Sequence, residues 1–315
     1  MTQEVLVLGA GVIGLTSAVR LAEAGHNVRV WAELLPLEST SAAASGLWMP
    51  GFGEREERWS LASFEEFSKL SRNSTETGVH LERGLAVTDI WDGPQPWLEF
   101  MPEVEVCPQE ELPDGMTLGW WSTVPMIDIP RYLAHLTDRL TAAGVTIERK
   151  RIEKLTEATD AAPTVVNCTG VGARHLAGDE GVEPIRGQHV IVRNPGIDYW
   201  FMEGIQTPTW TGFFPHHDKV LLAGVSQQGN WNLEPDADDA RGILERCAKA
   251  EPRLKDAEVL GYNVGLRAGR ETARLDTETL GGSRVIHAYG HGPFGVSQSW
   301  GTAHDVAELV AQPGE

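Results

Sequence analysis

The chain has 315 residues, 41% of them hydrophobic and 23% charged, with 26 Lys and Arg against 45 Asp and Glu for a formal charge of −19. These are the proportions of a globular protein with a sizeable core, in one large domain or two interleaved ones, and they exclude disordered and fibrous classes. The acidic balance repels phosphate backbones and anionic lipid, so neither nucleic acid nor a membrane is an expected partner.

Three cysteines, Cys107, Cys168 and Cys247, stand far apart without CxxC spacing, which points to neither a disulfide framework nor a metal site. A reducing cytoplasm fits that usage. No apolar stretch is long enough to span a bilayer, and no basic leader precedes the apolar run at the amino terminus.

From the start of the chain, Glu4-Val5-Leu6-Val7-Leu8 reads as a strand and Gly9-Ala10-Gly11-Val12-Ile13-Gly14 as a tight loop, after which Leu15, Ala18, Val19 and Leu21 recur at helical spacing. Gly25-His26-Asn27 ends that helix. Val28-Arg29-Val30-Trp31 then alternates as a second strand closing at Glu33, about twenty residues after the glycines. In such a unit Gly9 permits the turn, Gly11 lets backbone amides approach a pyrophosphate and Gly14 allows close helix packing. Glu33 accepts the ribose hydroxyls and disfavours the extra phosphate of NADP. The unit predicts dinucleotide binding; a glycine turn that merely packs is the plainer alternative.

Further along, Tyr132, Leu133, Leu136 and Leu140 recur at helical spacing, and Val145-Thr146-Ile147 and Thr164-Val165-Val166-Asn167 read as strands returning to the same sheet. Near the end, Arg284–Tyr289 reads as a strand, Gly290-His291-Gly292-Pro293-Phe294-Gly295 as a second GxGxxG, and Trp300, Ala303, Val306 and Leu309 as a helix. Too few residues follow for a second nucleotide unit. The loop's unpaired amides and positive helix end suit the negative charge of a reduced flavin, which argues for FAD over NAD; a simple connecting turn is the alternative.

Taken in order, the first fingerprint, Ser45-Gly46-Leu47-Trp48, Val166-Asn167-Cys168-Thr169-Gly170, Arg186-Gly187-Gln188, Gly265-Leu266-Arg267-Ala268-Gly269-Arg270 and His287-Ala288-Tyr289-Gly290-His291-Gly292 resemble the D-amino-acid oxidase family over nearly the whole chain. The resemblance implies an α/β fold in which a Rossmann-like FAD-binding domain is interleaved with a smaller α+β substrate domain having a mixed sheet. The first domain is expected from residues 1–50, 141–192 and 275–315, the second from 51–140 and 193–274. It implies non-covalent FAD contacted by Gly9, Ala10, Gly11, Val12, Ile13, Gly14, Glu33, Thr40, Ser41, Ser45, Gly46, Leu47, Ile152, Gly292, Phe294, Gly295, Val296 and Ser297. The activity it implies is oxidative deamination of neutral or apolar D-amino acids to 2-oxo acids, ammonia and hydrogen peroxide, with hydride passing to flavin N5. The partners are then a D-amino acid and molecular oxygen, with a homodimer as the assembly to test for. The competing readings are a glycine or sarcosine-type amine oxidase, a carrier-linked D-amino-acid dehydrogenase and a non-catalytic flavin-binding module.

Such a reaction needs an anchored carboxylate, and a guanidinium offers paired donors in the matching geometry. If Val264–Arg270 is a strand, Arg267 and Arg270 point to opposite faces and only one can face the flavin; the family's pattern assigns the substrate to Arg270. Pro293 falls where the family uses a backbone carbonyl to accept the substrate's amine hydrogen, and proline keeps its carbonyl. Leu47, Met49, Trp210 and Phe214 are expected to line the side-chain pocket. A general base is dispensable if hydride leaves from the neutral amine, so His216, His217, His287 and His291 read as structural. One position departs from the family: its active-site tyrosine before a short apolar run is replaced by Gly212, ahead of Phe213-Phe214-Pro215. Phe201–Trp231 contains no arginine, and its one fixed cation, Lys219, is expected to point to solvent from the polar turn His216-His217-Asp218-Lys219, leaving an acidic substrate side chain unpaired.

Overall fold

The computed structural model describes residues 2–90, 98, 101, 103–204 and 208–312. The chain begins with β1 (Glu4–Leu8), α1 (Val12–Glu23), β2 (Asn27–Ala32), α2 (Glu54–Leu70), the single turn α3 (Ser74–Thr77), β3 (Val79–Thr88), β4 (Glu105–Val106) and β5 (Leu118–Ile127). It continues with α4 (Ile129–Ala142), β6 (Thr146–Arg149), α5 (Leu155–Thr159), β7 (Thr164–Asn167), α6 (Ala173–Leu176), β8 (Glu183–Arg193), β9 (Trp200–Glu203), β10 (Thr209–His216) and β11 (Lys219–Val225). The last elements are β12 (Gln227–Gln228), α7 (Ala237–Ala250), β13 (Val259–Gly269), β14 (Arg274–Leu280), β15 (Ser283–Tyr289) and α8 (Gly295–Ala311).

The first fifty residues fold as their periodicity dictates. Val5 to Leu8 are buried on both faces of β1, as the central strand of a sheet covered on both sides must be. Leu15, Ala18, Val19 and Leu21 bury one face of α1, and Gly25, at φ +85°, ends the helix in the left-handed region that favours glycine. The first sheet has the order β14-β15-β7-β1-β2-β6, parallel except for the β14–β15 hairpin at one edge. α8 returns beside α1 and crosses α2. Contact there is close because a β-carbon at Gly301 would lie 2.3 Å from the Trp59 α-carbon. The Arg58 guanidinium and Trp59 indole both donate to Asp305 across the same crossing.

The second sheet is mixed, with nine strands among the described residues in the order β12-β8-β11-β10-β9-β3-β5-β4 and β13 on β8; β3 and β9 run parallel. This is the α/β architecture expected, a Rossmann-like layer joined to a mixed sheet. The expected domain limit at residue 192 needs correction. β8 starts at Glu183 and pairs with β11 and β13 along its length, so that limit belongs before Glu183. Among the described residues no helix is long and apolar enough to cross a membrane.

Candidate active site

Two cavities meet between the sheets. The first, of about 460 Å³, runs from Trp31, Glu33, Lys150, Arg151 and Ile152, past Gly9–Ile13 and Thr40–Ser41, to Gly290–Pro293, Gly295 and Val296. The second, of about 650 Å³, is lined by Leu47, Met49, Phe52, Trp120, Met202, Trp210 and Phe214 with a few polar groups, among them Thr88, Ser226 and Gln228. Ala44, Arg267 and Pro293 line both, which places them at the junction.

The first cavity fits FAD. Gly9, at φ +101°, has its α-carbon against β7: a β-carbon would lie 2.5 Å from the Cys168 carbonyl oxygen. A β-carbon at Gly14 would lie 2.0 Å from the Gly9 carbonyl, so α1 starts hard against the loop with its amides turned to the cavity. The Val12 amide donates to Ser41 Oγ at 2.9 Å. Glu33 stands at the far end, 3.3 Å from Arg151. At the other end Gly290 and Gly292 take φ of +86° and +55° before α8 begins. Of the residues expected at FAD, Gly9, Ala10, Gly11, Val12, Ile13, Glu33, Thr40, Ser41, Ile152, Gly292, Gly295 and Val296 line this cavity. Ser45, Leu47, Phe294 and Ser297 line the second one instead, and Gly14 and Gly46 line neither. Gly46 is packed on Ile127, whose carbonyl oxygen a β-carbon would meet at 1.9 Å. Cys168 touches the first cavity, but burial pushes its thiol up to about 12, so it offers no thiolate for attachment. Heat or acid precipitation should therefore release all flavin to the supernatant; yellow colour kept by washed precipitate would disprove non-covalent binding.

The two candidate arginines part company here. Arg270 donates from Nε to Asp179 Oδ2 at 3.1 Å and from Nη1 to the Thr272 carbonyl at 2.8 Å, and its stem packs on Gly290. It lines neither cavity. Arg267, three residues earlier and within β13, lies at the junction with its guanidinium over Gly187, where a β-carbon would come within 2.4 Å of Nη1. Its Nη1 is buried without a hydrogen-bond partner, and among the described residues no carboxylate pairs with it. Burial pulls its pKa below the usual guanidinium value. Arg186 is the useful contrast. It is 1% exposed, but its Nε, Nη1 and Nη2 donate to Asn232, Gln227, Asp239, Gln188 and Glu234, so it is fully spent on structure.

Two imidazoles at the first cavity, those of His189 and His291, are held in the neutral form by burial. Burial, then the Arg267 charge, lowers His189 to about 3 against a hydrogen bond to the Ala43 backbone; burial, then Arg55, lowers His291 to about 3. His291 Nε2 lies 3.0 Å from Thr302 Oγ1. Lys219 turns back to Asp128 at 3.2 Å, a correction to its expected solvent-facing pose, and does not line the second cavity. Among the described residues Arg267 is thus the one formal charge on the second cavity's wall. The four expected pocket residues, Leu47, Met49, Trp210 and Phe214, all line that cavity. Gly212 carries no side chain because its space is taken: a β-carbon would lie 2.5 Å from Trp210 Cζ3 and 3.0 Å from Phe214 Cζ. Sequence reasoning missed His189, Lys150 and Arg151 at the first cavity. Only Lys150-Arg151, beside the expected Ile152, left a local signal.

The family described as FAD dependent oxidoreductase matches residues 4–309. A D-amino-acid oxidase of Rubrobacter xylanophilus is 41% identical over 310 residues, 97% of this chain and 95% of that protein. A human D-aspartate oxidase is 32% identical over 332 residues, 99% of this chain and 95% of that protein. Among solved structures, glycine oxidase from Geobacillus kaustophilus superposes with a TM-score of 0.83 at 19% identity, covering 100% of this chain and 96% of that one, a likeness of fold.

Proposed function

We propose, from the premise that this chain belongs to the FAD-dependent oxidoreductase family, that it oxidises D-amino acids with uncharged, largely apolar side chains, and that Arg267 rather than Arg270 holds the α-carboxylate. The observation that carries this reading is Arg267 itself: a guanidinium at the junction of the two cavities, with a buried donor unpaired and, among the described residues, no counter-charge. A buried arginine without a partner is costly and persists where a ligand anion completes it.

When bound, FAD would supply the two-electron acceptor for the substrate's hydride, with molecular oxygen as the expected terminal oxidant. The chain's own residues bind and orient the substrate. Gly9–Ile13, Ser41 and Glu33 would hold the nucleotide, and Gly292 to Val296 would present helix-start amides to the flavin ring. Arg267 takes the substrate carboxylate two-pronged, fixing the α-carbon at the junction. The Pro293 carbonyl, at the same junction, accepts a hydrogen from the substrate amine. Leu47, Met49, Trp210 and Phe214 receive the side chain and exclude water. His189 and His291, held neutral by burial, add no competing charge.

Flavin bleaching under nitrogen, followed across paired D- and L-amino acids, tests the reading. Bleaching by D-methionine or D-phenylalanine and not by the L-forms supports it. Faster bleaching by glycine or sarcosine than by any D-amino acid would instead favour the glycine-oxidase reading, and bleaching without peroxide release in air a carrier-linked dehydrogenase.

Gly187 gives a more local test. Gly187→Ala should push the guanidinium of Arg267 aside by about an ångström and raise KM for D-methionine roughly ten- to a hundredfold, with FAD retained. An unchanged KM would show that the guanidinium does not rest where the substrate binds.

A further inference from the structure

The second cavity is apolar around Leu47, Met49, Trp210 and Phe214, but Ser226 and Gln228 add neutral polar groups to its wall that hold neither the carboxylate nor the amine. Strand alternation sets where they point. β12 pairs antiparallel with β8, Gln227 opposite Arg186 and Gln228 opposite Ile185. Gln227 is spent on structure: its Oε1 accepts from Arg186 at 3.1 Å and from Asn230 at 2.9 Å, and its Nε2 donates to Asp239 at 3.0 Å. Gln228, one residue on, takes the other face. Ile185 also lies opposite Arg267 on β13, so Gln228, Ile185 and Arg267 form one row across three strands, and all three line the second cavity.

The backbone fixes this end of the row. The Gly229 amide donates to the Pro184 carbonyl at 2.9 Å directly after β12, and the Ser226 amide donates to the Pro208 carbonyl at 2.9 Å directly before it. The side chains are not committed: among the described residues neither the Ser226 hydroxyl nor the Gln228 amide has a hydrogen-bond partner. At the other end the Arg267 guanidinium lies over Gly187, two residues along β8 from Ile185. One strand spacing and two residues of rise separate Gly187 from Gln228, about 8 Å. A substrate whose α-carboxylate rests on Arg267 crosses that gap only with a long side chain.

We propose that Ser226 and Gln228 determine specificity by hydrogen-bonding a carboxamide at the tip of the substrate side chain, so that D-glutamine is among the favoured substrates. The proposal rests on Arg267 holding the α-carboxylate of a D-amino acid. The Gln228 amide presents a donor and an acceptor side by side, and a carboxamide returns an acceptor and a donor, for two bonds; the Ser226 hydroxyl turns to serve as either. A carboxylate at the same place can only accept, sets an anion against the Gln228 carbonyl oxygen, and finds no cation on the described wall besides Arg267. An alkyl tip takes water from both polar groups and gives no bond back. The chemistry of the wall therefore selects a neutral side chain of about glutamine's length that ends in an amide.

The test compares kcat/KM for D-glutamine and D-methionine, which are similar in length, in the wild-type holoenzyme and in Gln228→Leu, Ser226→Ala and Gln228→Lys. The ratio of D-glutamine to D-methionine should fall at least about tenfold in Q228L and about threefold or more in S226A, with FAD content at one per chain. In Q228K the ratio of D-glutamate to D-glutamine should rise at least about tenfold, a gain that damage to the fold does not produce. An unchanged D-glutamine to D-methionine ratio in either of the first two variants, or no gain for D-glutamate in Q228K, overturns the proposal; where D-methionine still bleaches the wild-type flavin, the D-amino-acid reading stands without it. A wild type bleached by no D-amino acid sinks that reading, and this proposal with it.

Discussion

Arg267→Leu should lower kcat/KM for D-methionine by about a hundred- to several-thousandfold while FAD content stays at one per chain. Removing one member of a buried charged pair costs about 3–5 kcal/mol, and each 1.4 kcal/mol is a decade in rate. The substrate carboxylate would enter a cavity whose wall, among the described residues, holds no other formal charge. Arg267→Lys should recover little, because a point charge lacks the planar two-pronged fit. Arg270→Leu should behave differently. It breaks the bond to Asp179, whose carboxylate keeps Tyr289 and the Gly181 amide, so the expected loss is about 1–3 kcal/mol of stability with KM nearly unchanged. Steady-state peroxide release, flavin content and thermal unfolding of the three variants decide it. If Arg270→Leu raised KM sharply and Arg267→Leu did not, the assignment would be reversed.

D-methionine should be preferred over D-aspartate by at least about a hundredfold in kcat/KM. The α-carboxylate has Arg267; a second carboxylate on the side chain would face Leu47, Met49, Trp210 and Phe214. Lys219, the nearest candidate cation in sequence, is engaged by Asp128, and Arg186 is saturated. An unpaired buried carboxylate costs several kcal/mol even after relaxation, which exceeds the roughly 2.7 kcal/mol that two decades require. Peroxide release at matched low concentrations is the measurement. Equal rates would mean that a cation outside the described wall reaches the side chain.

The nucleotide half was legible because its signals are contiguous. Strand, glycine loop, helix and terminal acid fall within residues 4–33, and each depends on local rules of φ, periodicity and helix capping. The closing loop at Gly290–Gly295 was legible for the same reason, and Leu47, Met49, Trp210 and Phe214, expected as pocket residues, do line one cavity. The same residues did not reveal where β8 belongs, because a buried apolar run does not say which sheet it joins.

By itself, then, the amino-acid sequence determined the cofactor class and the glycine loop, and it singled out Arg267 and Arg270 as rivals for the substrate carboxylate, since alternation along an expected strand is a local property. Which of the two lies at the junction of the cavities was decided by the tertiary structure. Asp179, ninety-one residues before Arg270, captures one arginine, and Gly187 on β8 leaves room for the guanidinium of the other. Asp128 likewise turns Lys219 from solvent across the same kind of separation. Pairings of this kind join residues distant in the chain, and they follow from which elements pack together, which no local pattern encodes.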